Sequence, residues 1–124
     1  MLLDQITKMI NDNITSLTEG ENLYKNYYPD SPDTIVSVIH TGGYPPSRYS
    51  PTRELTFDIK IRSKHYHDSV DLGNQIMKLF EKENYQLGSF FVLDSYSFSE
   101  LTYLYTDKNN RDEFSLGLAF LIKK

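Results

Sequence analysis

In the first seventeen residues, apolar positions recur at three- and four-residue steps: Leu2, Leu3, Ile6, Met9, Ile10, Ile14 and Leu17, with Asp4, Gln5, Lys8 and Asp12 between them. That period predicts an amphipathic helix of about four turns over residues 2–17. From Thr18 to Pro32 the period is lost. Gly20, Asn26, Pro29, Asp30, Ser31 and Pro32 interrupt it, and Tyr24, Tyr27 and Tyr28 stand among polar neighbours, so an ordered connection with at most a helical turn is expected. Residues 33–41 hold Ile35, Val36, Val38 and Ile39, a β-branched run that stops at Gly42-Gly43 as a strand entering a turn does. Residues 42–51 contain three prolines and two glycines and are expected to form a long exposed loop.

Residues 54–62 alternate without a fault. Leu55, Phe57, Ile59 and Ile61 fall on one face, and Thr56, Asp58, Lys60 and Arg62 on the other, which predicts a strand buried on one side. Helical spacing returns at Tyr66, Ser69, Val70, Gly73, Ile76, Met77 and Phe80, and this helix is expected to end near Glu83-Asn84. Gly73 weakens it and is expected where the helix packs closely on the sheet. A third strand is expected over 89–96, Leu101, Tyr103 and Tyr105 alternate again, and Asp107-Lys108-Asn109-Asn110 is a cluster of turn residues. The last strand, 113–122, places Phe114, Leu116, Leu118, Phe120 and Ile122 on one face. Ser115, Gly117 and Ala119 lie on the other, where small residues point to a close neighbour. Together these elements predict one α+β domain over residues 1–124, an antiparallel sheet of about four strands with two helices packed on one face.

Composition narrows the function classes. There is no cysteine, hence no disulfide framework, thiol nucleophile or thiolate metal site. Neither a signal peptide nor a membrane span is expected, because the apolar residues near the start are spaced and not contiguous. The net charge of -4 comes from 17 acidic and 13 basic residues scattered in both signs, which argues against a basic face for gripping nucleic acid. Ten tyrosines and seven phenylalanines, with no tryptophan, suit either a core or a protein-binding surface.

No catalytic constellation emerges. His65, His67, Asp68 and Asp71 are of ligand type, but the two histidines lie about 200° apart on a helix and do not converge. Acidic residues there also favour the helix N-terminus without any metal. Gly42-Gly43 leads to prolines, not to a helix with Lys-Ser or Lys-Thr, so it is not a phosphate loop. No Gly-x-Ser-x-Gly elbow surrounds any serine. Asp112 and Glu113 beside Arg111 read as solvated charges at a strand start. No cofactor, metal or catalytic residue is therefore expected. Better supported are protein contacts through Tyr44, Arg48, Tyr49, Tyr103 and Tyr105, residue types enriched at interfaces.

The segment Pro51-Thr52-Arg53-Glu54-Leu55-Thr56-Phe57-Asp58-Ile59-Lys60-Ile61-Arg62, a proline and an alternating strand ending in arginine, is followed by the helix around Tyr66 to Phe80. Together with Asp107-Lys108-Asn109-Asn110-Arg111-Asp112-Glu113-Phe114-Ser115-Leu116, an acidic turn, an arginine and a terminal strand, it resembles the minor capsid or tail terminator proteins of long-tailed phages. Where many relatives are rich in proline or glycine before the acidic turn, this chain has Glu100-Leu101-Thr102-Tyr103-Leu104-Tyr105. The resemblance implies a structural virion protein, put together in the host cytoplasm, that forms a ring of six. Such a ring would cap the tail tube, stop its growth and meet the head connector, with genomic DNA passing through unbound. Another head-tail joining or head-completion protein is the alternative, and a small hydrolase or nuclease a remote one.

Overall fold

A computed structural model describes residues 1–43 and 48–123. Helix α1, Leu2–Asn13, buries Leu2, Leu3, Ile6, Thr7 and Ile10. It stops short of the predicted end. The Asn13 amide donates to the Met9 carbonyl, and Ile14 turns to an extended conformation. Ile14 and Leu17 still reach the core, carried there by a turn instead of a further helical turn.

A mixed sheet of seven strands follows, where an antiparallel sheet of about four was expected. The strands are β1 (Leu23–Lys25), β2 (Ile35–Gly43), β3 (Thr52–Ser63), β4 (Lys82–Leu87), β5 (Phe90–Ser97), β6 (Thr102–Thr106) and β7 (Asp112–Lys123). Their order is β1-β2-β3-β7-β5-β4, and β6 also pairs with β7. β1 runs parallel to β2; every other pair is antiparallel. The expected strands correspond to β2, β3, β5 and β7.

The alternation of β3 and β7 fixes the centre. Leu55 faces Phe120, Phe57 faces Leu118, Ile59 faces Leu116 and Ile61 faces Phe114, so these four rungs make one face of the ladder apolar. A one-residue slip of either strand would turn its four side chains to the wrong face. Both helices cover this face. Helix α2, Tyr66–Phe80, lays Leu72, Ile76 and Phe80 on it, and the Phe80 and Phe120 rings meet edge to face at 5.5 Å. The Ser63 hydroxyl anchors the start of α2 by bonding the His65 carbonyl and the Ser69 hydroxyl.

α2 ends at Phe80, not at Glu83-Asn84. The Ser95 hydroxyl donates to the Phe80 carbonyl, and Asn84 adopts a left-handed φ of 49° inside β4. A bulge in β5 brings Ser95 there: Val92 faces Ile122 and Asp94 faces Leu121, leaving Leu93 outside the register.

Two glycines mark close approaches of one segment, the connection from β5 to β6. A Cβ on Gly73 would lie 2.6 Å from Leu101, so α2 is pressed against this connection, where packing on the sheet itself was expected. On the opposite sheet face, a Cβ on Gly117 would lie 2.5 Å from the Phe98 ring. The small outward face of β7 thus meets the chain's own Phe98 and Ser99. Its other members are also satisfied internally: the Ser115 hydroxyl donates to Asp58, and Ala119 is buried.

Candidate interaction surface

Residues 26–34 cross the polar face of the sheet at one end, held by two buried arginines. Arg62 ends the alternating run of β3 and is 2 % exposed. Its guanidinium donates to the carbonyls of Pro29 at 2.8 Å, Pro32 at 2.7 Å and Asp33 at 3.4 Å, and lies 5.1 Å from the Tyr28 ring centroid. A planar fork of donors suits such a fan of carbonyls, where a lysine could offer only a point charge.

Arg111 starts β7 and is equally enclosed. It pairs with Asp107 at 2.9 Å, with Asp30 at 2.8 Å and with Asp33 at 3.6 Å, and it donates to the Asp30 carbonyl. Burial pulls its pKa down, but the bonds to Asp30 and Asp107 outweigh that and raise it. Asp30 is held below the usual carboxylate range, chiefly by its bond from Arg111. Burial pushes Asp107 up, yet the backbone N–H groups of Arg111 and Asn109 and the Arg111 side chain bring it below its ordinary value. Asp107 thereby closes the turn into β7, with Asn110 in the expected left-handed conformation at φ 61°.

Glu113 completes the group. The Tyr28 hydroxyl donates to it at 2.8 Å, and Tyr105 bonds it from β6. Burial first, and the Glu113 carboxylate second, push the Tyr28 hydroxyl well above the usual tyrosine range. Tyr105 is also raised, mainly by the charge of Glu113. Arg111 and Glu113 were expected to be solvated charges. They are buried because their partners arrive from segments remote in sequence.

β6 borders this group and is exposed at every residue. It pairs with β7 on one side only, leaving an outer edge of Thr-Tyr-Leu-Tyr-Thr without a charge. The other sheet margins are better protected. β1 has three residues and an ion-paired Lys25, β4 carries Lys82 and Glu83, and the Asn26 side chain caps the His40 amide of β2. Regular alternation would put Tyr103 and Tyr105 on one face. A bulge between them separates the two: Tyr103 stands with Phe114 and Tyr66, Tyr105 with Glu113.

The expected contact residues do not form one patch. Arg48 and Tyr49 are exposed ahead of β3, whose first residue faces Lys123 at the end of β7. Tyr103 and Tyr105 lie beside the start of β7, roughly 30 Å away along the strand. Tyr44 falls outside the described residues. Among the described residues no group of three His, Asp or Glu could hold a metal ion, and no helix is long and apolar enough to cross a membrane.

Residues 5–124 match the model of the bacteriophage tail terminator protein family. The chain belongs to that family. A chain from the virion of a native gene transfer agent particle superposes with a TM-score of 0.64 at 10% identity, over 99% of this chain and 92% of its own. A second solved chain superposes with a TM-score of 0.60 at 9% identity, over 98% and 95%. At such identity these likenesses speak for the fold. No curated protein sequence matches the chain. As a tail terminator family member, the protein is a structural component of a phage tail.

Proposed function

We propose that the chain forms a six-membered ring that caps the finished tail tube, halts its polymerisation and presents a surface to the head connector, without catalysis. The observation that carries this reading is β6, a five-residue strand with an uncharged, fully exposed outer edge. Unpaired N–H and C=O groups beside exposed Tyr103, Leu104 and Tyr105 make a template for a neighbouring chain. A ring needs two different patches on each subunit, and the separation of Arg48 and Tyr49 from β6 supports that arrangement.

The net charge of -4 fits a conduit through which DNA passes unbound, since no basic stripe is available to retain it. Assembly in the host cytoplasm and incorporation into the virion accompany this role. Light scattering of the purified protein, alone and with tail-tube protein, tests it. A six-subunit mass in either format is expected; a chain that stays monomeric in both contradicts the ring.

A further inference from the structure

At one end of the apolar sheet face, between the start of α1, the start of β3 and the end of β7, lies a cavity of about 180 Å³. Its walls are Leu3, Leu55, Phe57, Phe90 and Ile122. A cavity of roughly 150 Å³ with apolar walls accepts a benzene ring, so this one has room for a single aromatic side chain. One wall is held firmly. The Phe57 ring is stacked on His40 at 4.9 Å and meets Phe120 edge to face at 5.6 Å, while His40 is itself bonded to the Gly42 carbonyl. Two phenyl walls, Phe57 and Phe90, suit an aromatic guest, which can meet them edge to face.

The charge at this cavity is of one sign. No Asp or Glu is among its lining residues. Arg53 is exposed at its mouth, and the guanidinium has neither an ion pair nor a hydrogen bond among the described residues. Glu54 stands on the opposite face of β3 and does not neutralise it. An apolar hollow with an unpaired guanidinium at its mouth fits a ring that carries a carboxylate beside it. The chain itself has no ring to offer, because the exposed rings of the described residues are already engaged. Phe98 rests on Gly117, Tyr66 and Tyr103 pack on Phe114, and Tyr105 bonds Glu113. Tyr27 packs on Tyr24, and Tyr49 and Tyr96 have partners of their own.

We infer that the cavity takes an aromatic side chain from an acidic segment of a different protein, with the ring among Leu3, Leu55, Phe57 and Ile122 and a flanking carboxylate on Arg53. The site goes beyond the ring proposed above, since one subunit carries all of it. It lies at the end of the sheet where Arg48 and Tyr49 are exposed, the far end of β7 from β6, so a partner seated here leaves the β6 edge open.

Capped tripeptides test it: acetyl-Glu-Phe-Glu-amide, acetyl-Lys-Phe-Lys-amide and acetyl-Glu-Ala-Glu-amide, titrated at low salt while the methyl resonances of Leu3, Leu55 and Ile122 are followed. The acidic phenylalanine peptide should shift these methyls by its ring current and bind roughly threefold to fivefold more tightly than the lysine peptide. The net charge of -4 would by itself favour the lysine peptide, so the expected order runs against it. The alanine peptide should leave the methyls unmoved. Arg53→Gln, at an exposed position, should keep the wild-type melting curve and abolish the preference for the acidic peptide. Methyls unmoved by either phenylalanine peptide at millimolar concentration would overturn the site, and equal or reversed affinities for the two would overturn the acidic occupant. Rings that fall apart as the acidic peptide fills the cavity would assign it to a second copy and overturn the separate partner. A chain that forms no ring but binds the peptides in the expected order would contradict the ring alone and support the site.

Discussion

The Tyr28 hydroxyl donates to the Glu113 carboxylate at 2.8 Å, across 85 positions of sequence. This bond sews the 26–34 segment to the last strand, in a group where Arg62 and Arg111 supply the positive charge. A buried carboxylate that loses a donor is costly, so the Tyr28 hydroxyl contributes beyond the contact its ring makes with Arg62.

Tyr28→Phe should therefore lower stability by about 1–2 kcal/mol. Arg62→Ala strips the donors from three backbone carbonyls at once and should cost more, about 3 kcal/mol. Urea melts check both. A loss below about 0.5 kcal/mol for Arg62→Ala would show that the clamp contributes little.

Stability should fall at both ends of the pH scale. Tyr28, Tyr85 and Tyr105 have pKa values raised in the fold. Their contribution is fully present below the unfolded tyrosine value near 10, and is lost as pH rises beyond it because only the unfolded chain deprotonates readily. Asp4, Asp30 and Asp107 are lowered, so theirs is present above the unfolded value near 3.9 and is lost as pH falls through the folded values. Melting temperatures between pH 2 and pH 11 (roughly the span these groups cover) should form a plateau with two falling edges. Tyr28→Phe should blunt the alkaline edge and leave the acid edge in place.

Gly73→Ala should destabilise despite the gain in helix propensity. The propensity gain is about 1 kcal/mol, whereas a methyl 2.6 Å from Leu101 forces that side chain off α2, at a cost of about 1–3 kcal/mol. In the Leu101→Ala background the clash is gone and the same substitution should stabilise. A double-mutant cycle reads the change of sign.

Leu104→Lys places a charge on the open edge of β6, where the side chain is exposed. The melting curve should stay within about 0.5 kcal/mol of wild type. Assembly measured by light scattering should drop, since a charged side chain on an edge strand discourages pairing. Undiminished assembly would remove β6 from the contact surface.

Legibility of the fold followed burial. β3 and β7 were readable because one face of each is wholly apolar, and α2 because Leu72, Ile76 and Phe80 keep its period. β1, β4 and β6 were not assigned as strands: the first has three residues, the second reads Lys-Glu-Asn-Tyr-Gln-Leu, and the third is exposed on all sides. Arg62 and Arg111 were visible as parts of a family pattern, but their work was not, because the carbonyls and carboxylates they hold come from residues 29–33. The long separation that hid Tyr28 from Glu113 likewise made Glu113 look solvated. Arg48, Tyr49, Tyr103 and Tyr105 are exposed as expected, yet the loop ahead of β3 and the β6 edge sit at opposite ends of β7.

Tail length in particles made without this protein tests the central claim most directly. Electron microscopy should show tails of variable and excessive length, because no ring stops the tube. Tails of normal length, left unattached to heads, would contradict termination and favour a head-completion role instead.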